Sequence, residues 1–234
     1  MNRGVALVTG SRTGLGRAMA VHLLEHGYTV IGCSRGAPGT LPEGAYAHVE
    51  CDVADEAQVV SMVRGIARDH GRLDVVVNNA GVASMNHALL TSASTVDRIM
   101  ATNVRGTFLV SRECVKVMQR NGFGRVVNLG SVAVPLHLEG EAIYASSKAA
   151  VETLTRVFAR EVAPLGVTVN CISPGPIRTD LLAGVPEAAL ARLVEKQAVR
   201  RLGEPRDVHH VLDFFLSPAA DFITGQVVYL GGVS

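Results

Sequence analysis

Tyr144 and Lys148 stand four residues apart in the stretch YASSK, separated only by small side chains. On a helix that spacing puts both on one face, about one turn apart. A phenol next to an ammonium can be an acid tuned for proton transfer; it can also be a half-buried aromatic at a helix start. The tuning is easily sized. A free tyrosine has a pKa near 10, poorly matched to neutral pH. An ammonium ~4 Å away, at an effective dielectric near 20, contributes about 4 kcal/mol. That lowers the pKa by roughly three, before desolvation opposes part of it. The spacing therefore predicts that Lys148 makes Tyr144 more acidic. A phenol so tuned would protonate an oxygen that gains charge, as a ketone oxygen does on hydride transfer.

A second constellation is the glycine turn VTGSRTGLG. It follows an apolar, β-branched run and opens a helical pattern. Gly10, Gly14 and Gly16 have G-x3-G-x-G spacing, with Ser11, Arg12, Thr13 and Leu15 between them. Such a turn brings backbone close to a pyrophosphate and aims a helix N-terminus at it, although glycines also simply make turns. The next apolar run ends in CSRG. A site for an unphosphorylated ribose wants a carboxylate about 20 residues after the glycines; Ser34 and Arg35 stand there instead. Arg35, with Arg12 in the turn, can form charge-assisted hydrogen bonds to a 2′-phosphate, each contributing ~1.5–3 kcal/mol. The pair predicts NADP(H) in preference to NAD(H), with solvated surface arginines as the alternative.

Elements that would position these groups are legible along the chain. Short apolar runs begin at Val5, Thr29, Ala47, Leu73, Arg125, Val167 and Gln226. Helical periodicity covers 15–26, 56–70, 95–120, 143–163 and 206–217. Within 143–163, Val151, Leu154, Phe158 and Val162 form an inward stripe, and Glu152, Arg156 and Arg160 fall on the wet face. Strand–helix alternation throughout predicts one parallel sheet covered on both faces. No linker or composition shift divides the 234 residues, so one domain over 1–234 is expected. The stretch 173–190, rich in proline and glycine yet carrying Ile177, Leu181 and Leu182, reads either as a lid over a ligand (about 175–201) or as a packed surface connection.

Composition excludes other classes. With 48% apolar and 18% charged residues, disorder is excluded. A net charge of +1 without a basic run argues against nucleic acid. The opening MNRGVALVTG lacks the apolar length of a signal peptide, and nothing approaches the ~20 apolar residues of a membrane span. A soluble, cytoplasmic protein with no membrane contact is expected. Cys33, Cys51, Cys114 and Cys171 form no CxxC pair and read as reduced, buried and structural. The eight histidines show no ligand spacing in this reading, and the adjacent His209 and His210 diverge on a helix. No metal is predicted.

Taken in order, TGSRTGLG (9–16), CDV (51–53), NNAG (78–81), Asn103 in TNVRG, Ser131 in NLGS, YASSK (144–148) and PGPIRT (174–179) resemble the short-chain dehydrogenase/reductase family. GGVS at the end also fits. The likeness is greatest to its 3-oxoacyl-acyl-carrier-protein reductases. The resemblance implies an α/β fold, a single-domain Rossmann-type doubly wound parallel sheet of seven strands in the order 3-2-1-4-5-6-7. It implies a catalytic tetrad of Ser131, Tyr144, Lys148 and Asn103. Ser131 would orient the carbonyl, Lys148 would also hydrogen-bond the nicotinamide ribose, and Asn103 would hold a water leading to solvent. Asp52 and Val53 would lie along the adenine, and Asn79, Ala80 and Gly81 along the ribose and strand ends. Ile177 and Thr179 would meet the nicotinamide amide and phosphate, with Pro174 and Gly175 completing that cofactor segment. A homotetramer or homodimer is implied, with the helices around 95–120 and 143–163 forming one interface.

The substrate pocket is expected among Ser131, Val134, Leu136, His137, Tyr144 and Leu181, with Val82, Met85, His87, Gly175 and Leu182 as further walls. These are mostly apolar and suit a carbonyl on a greasy chain. An acyl-carrier protein, being acidic, would need a basic surface near the mouth, for which Lys116, Arg120, Arg125, Arg156 and Arg160 are available. Two other readings stand beside this one. The first is an NAD-linked dehydrogenase of an alcohol, sugar or steroid. The second is a dinucleotide sensor without turnover, whose sign would be a lost tetrad residue; none is lost.

Overall fold

The computed structural model describes residues 3–38, 45–178 and 187–233. All seven apolar runs become strands: β1 (Val5–Thr9), β2 (Thr29–Ser34), β3 (Tyr46–Glu50), β4 (Val75–Asn78), β5 (Gly124–Leu129), β6 (Val167–Ser173) and β7 (Val227–Tyr229). They pair in parallel in the order β3-β2-β1-β4-β5-β6-β7. The helices are α1 (Gly14–Glu25), α2 (Glu56–His70), α3 (Ala93–Met100), α4 (Thr107–Met118), α5 (Ala133–Leu136), α6 (Ala142–Val162), α7 (Glu187–Glu195) and α8 (Pro205–Leu216). The expected helix over 95–120 is thus divided. A π-helical turn, Ala101–Gly106, joins α3 to α4 and carries Asn103. One extra residue per turn leaves no mark on composition or on short-range periodicity.

Alternate side chains of each strand leave on opposite faces, so a run buried on both faces must be apolar throughout. Val5 and Leu7 of β1 pack with Val59, Met62 and Ile66 of α2 and with Val110 and Met118 of α4. Ala6 and Val8, the intervening residues, pack with Met19 and Leu23 of α1 and with Leu212 and Phe215 of α8. Fully burying one such Val, Leu or Phe contributes ~1.5–3 kcal/mol. Local chemistry sets the helix ends. Asp55 caps α2 by accepting from Gln58 N (3.1 Å), and Gly71 ends it in the left-handed conformation at φ 70°. Glu204 and Asp207 form a capping box on α8, with Pro205 in its first turn.

The wet-face assignment of Glu152 is overturned. Its side chain is 3% exposed, accepts from Ser173 Oγ of β6 (3.1 Å) and from the Tyr229 hydroxyl of β7 (2.6 Å). A carboxylate can sit in the core when donors from other elements meet it. Tyr229→Phe should therefore destabilise the protein by ~1.5–3 kcal/mol, visible as a lower midpoint in urea unfolding. An unchanged midpoint would show that the buried carboxylate does not need this donor.

All four cysteines are free and buried, as expected. Burial raises the Cys171 pKa to about 12 and moves Cys114 up as well. Among the described residues no helix is long and apolar enough to cross a membrane.

Candidate active site

Strand order reverses between β1 and β4, the point at which open α/β sheets form a crevice at the carboxyl ends of their strands. The glycine turn leaves β1 there. Gly10 and Gly14 take positive φ (67° and 56°), which favours glycine. A Cβ on Gly16 would stand 2.3 Å from both Asn79 Nδ2 and Gly10 O. Thr13 precedes α1 without a side-chain cap, and the first turn holds no acid, so the helix amides fit a bound anion. Leu15 is half-buried beneath. Ser11 is fully buried and faces the Tyr46 hydroxyl (3.3 Å) rather than the crevice. Tyr46 in turn meets His48 Nδ1 (2.9 Å), and His48 Nε2 meets Ser34 Oγ (3.0 Å), bracing the turn against β2 and β3.

Arg12 and Arg35 are both exposed, and a Cβ built on Gly36 would lie 3.0 Å from the Arg12 guanidinium. The two cations thus border the end of β2, which itself carries no acid, while Glu50 of β3 pairs beside Ser34. Asp52 accepts from Ala54 N (2.9 Å), and Val53 packs against Gly106. Asn79 is committed to the protein: Nδ2 donates to Thr9 O (2.9 Å) and Gly10 O (3.2 Å). Its N–H and that of Ala80 donate to Thr9 Oγ1 (3.0 and 2.9 Å). Thr9 was visible in the motif without being assigned; it locks the strand ends that carry Gly10 and Gly81.

Ser131 follows β5, and Tyr144 and Lys148 occupy the first two turns of α6. Ser131 Oγ accepts from Ala133 N (3.1 Å) and hydrogen-bonds Tyr144. Lys148 is buried, and its Nζ donates to Leu129 O (2.7 Å). A Cβ on Gly81 would lie 3.4 Å from Asn103 Oδ1 and 3.6 Å from Lys148 Nζ, so glycine keeps that gap open. Asn103 Oδ1 accepts from Val82 N (2.8 Å), while Nδ2 donates to Val82 O (3.0 Å) and Ser147 Oγ (2.9 Å). Both amide hydrogens are engaged, so Asn103 stitches the loop after β4 to α6. A water would have to take the remaining Oδ1 lone pair.

The expected direction of the Tyr144 shift is reversed in this form. Burial raises its pKa; the Ser131 hydrogen bond acts against the rise, and Glu141 adds to it. Lys148 Nζ lies 5.9 Å from the ring centre, turned to the Leu129 carbonyl, and burial lowers its own pKa to about 8. The ammonium is therefore less persistently charged than four-residue spacing suggested. Desolvation wins over Coulomb attraction here.

Pro174 O accepts from Val132 N (3.2 Å), tying PGPIRT to the Ser131 loop. A Cβ on Gly175 would meet Gln197 Oε1 at 2.3 Å; Gln197 is buried between Gly175 and Gly231 and had no sequence signal. Ile177 bridges Gly203 and buries its side chain in the core. Thr179, Leu181 and Leu182 lie outside the described residues. Val134 and Leu136 are half-buried, and His137 ends α5 exposed at φ 48°. The basic set is not gathered at the mouth. Arg125 is 3% exposed beneath Phe123, and Lys116 pairs with Glu113. Arg156 and Arg160 lie toward the end of α6, which runs away from the crevice because crossover helices are antiparallel to their strands.

The fold and crevice define an enzyme class that reduces or oxidises substrates with a nicotinamide dinucleotide. A sequence family described as enoyl-(acyl carrier protein) reductase matches residues 9–233. A Picea abies protein described as a short-chain type dehydrogenase/reductase is 35% identical over 97% of this chain and 91% of its own length. The 3-oxoacyl-acyl-carrier-protein reductase of Vibrio cholerae is 33% identical over 97% of this chain and 96% of its own length. The solved structure of Thermoplasma acidophilum aldohexose dehydrogenase superposes with a TM-score of 0.89 at 31% identity, covering 99% of this chain and 94% of that one. The chain belongs to the short-chain dehydrogenase/reductase family and is an oxidoreductase of that family.

Proposed function

We propose that the protein is an NADPH-dependent carbonyl reductase acting on ketones, including 3-oxoacyl thioesters. The observation that carries this is the Tyr144 hydroxyl, hydrogen-bonded to Ser131 beside buried Lys148, at the carboxyl end of β5. The dinucleotide, when bound, supplies the hydride and is oxidised as the carbonyl carbon is reduced. Tyr144 gives its proton to the carbonyl oxygen, and the C=O bond becomes C–OH. A raised pKa suits this direction, because the phenol stays protonated at neutral pH. Ser131 donates a hydrogen bond that orients the carbonyl. Lys148 would hold the dinucleotide ribose and return to Tyr144 a proton taken from solvent. Gly10, Gly14 and Gly16 accommodate the pyrophosphate against the amides of α1. A lid over about 175–201 is part of this proposal; among its described residues, α7 carries none that is buried.

Cofactor preference is proposed from Arg12 and Arg35. Arg35→Asp should weaken NADPH binding roughly 10- to 100-fold and narrow the gap to NADH, read by fluorescence titration of both dinucleotides. Wild-type preference for NADH would defeat the assignment. The protein is proposed to act in the cytoplasm, as a homotetramer or homodimer. A groove of about 660 Å³ lined by Met100, Val104, Phe108 and Leu154 supports assembly through α3, α4 and α6. Light scattering at low concentration should give at least twice the 24.6 kDa of one chain; a monomer would refute it.

A further inference from the structure

The far end of α1 carries a histidine cluster unrelated to the crevice. His22 and His26 are four residues apart, contrary to the expectation that no histidines have ligand spacing, and their ring centres are 4.0 Å apart. Asp213 of α8 reaches the same point, with Oδ1 2.8 Å from His22 Nε2. One ligand atom from each of these three residues lies within 4.8 Å of the other two. We infer that His22, His26 and Asp213 bind a divalent transition metal, with Zn²⁺ the best match to two imidazoles and a carboxylate, and that the metal clamps α1 to α8.

Three features of the site support a metal beyond a simple hydrogen bond. His22 in the last turn of α1 and His26 at its cap, four residues apart, bring a nitrogen each to one point, a spacing known in zinc sites. His26 Nδ1 is 2.7 Å from the His22 carbonyl oxygen. As an N–H donor there it leaves Nε2 with the lone pair, the way backbone carbonyls orient metal-bound imidazoles. The site lies at the C-terminal end of α1, whose last turn holds no Lys or Arg, where a cation complements the helix dipole. His209 stacks on His22 at 4.2 Å but lies outside the group of three ligands. Arg17 lines the adjoining cavity of about 390 Å³, but Glu25 on the same wall and Asp213 together outweigh its charge. His26 and Asp213 are exposed, so the ion has a path from solvent.

The test uses tag-free full-length protein and Zn²⁺ by isothermal titration, with Co²⁺ absorption as a second readout. One Zn²⁺ per chain is expected. His26→Ala and Asp213→Asn should each weaken it at least ~10-fold, the scale on which even supporting residues act. Co²⁺ should produce the visible bands of a low-symmetry site in wild type and lose them in both variants. Zn²⁺ should raise the melting temperature of wild type but of neither variant. His70→Ala, an exposed histidine on α2, should bind as wild type does. No stoichiometric binding, or binding that both substitutions leave unchanged, would overturn the inference. None of these readouts depends on turnover, so the result is separable from the proposed reduction.

Discussion

Tyr144→Phe should lower kcat/KM for carbonyl reduction by roughly 10²- to 10⁴-fold, the range that a positioned general acid contributes, while NADPH still binds. The ring that fills the space beside Lys148 is retained, and only the hydroxyl that meets Ser131 is lost. Without it no group bonded to Ser131 can deliver a proton to the developing alkoxide. The assay mixes enzyme and NADPH with 3-oxoacyl thioesters, diketones and cyclic ketones. Wild-type turnover on any of them, set against the variant, reads the effect. Equal rates would remove Tyr144 from the reaction. Tight NADPH binding with no turnover on the whole panel would favour a sensor that keeps the fold alone.

Lys148 should impose a pH limit on the same reaction. Burial lowers its pKa to about 8, and kcat/KM reports ionisations of the free enzyme. Below that pH the ammonium is present; above it, the proton is lost. The rate constant should therefore fall about tenfold per pH unit above pH 8. Lys148→Arg, whose guanidinium does not deprotonate in this range, should flatten that limb if it retains activity. A wild-type profile that stays level to pH 10 would disconnect Lys148 from proton transfer. Stability moves the other way. The unfolded chain holds this proton to higher pH, so the burial cost is fully present below pH 8 and is relieved as pH rises toward 10.5. The relief is on the order of 3 kcal/mol, read as a wild-type minus Lys148→Met difference in urea unfolding that changes by that much between pH 8 and 10.5.

Long-range partners decided most of what the sequence misjudged. Glu152 satisfied every local rule for a solvated face, since a periodicity argument treats any carboxylate as outward. Its donors, Ser173 and Tyr229, come from strands 21 and 77 residues away. His22 and His26 could have been paired by their spacing, but Asp213 is 191 residues distant and no local pattern announces it. Asn103 was legible as a motif residue, whereas the π-helical turn that turns its amide toward Val82 and Ser147 was not.

By itself the chain order of residues determined the seven strands, the helical stretches over 15–26, 56–70, 143–163 and 206–217 and the glycine turn, because burial on both faces demands unbroken apolar runs and the positive φ of Gly10 and Gly14 favours residues without a Cβ. It also determined that Tyr144 and Lys148 share a face, since helix geometry alone sets that. Tertiary structure decided how the two groups ionise. Desolvation depends on everything packed around a charge, so the same four-residue spacing that promised a more acidic phenol yields, inside this fold, a less acidic one beside a weakened ammonium.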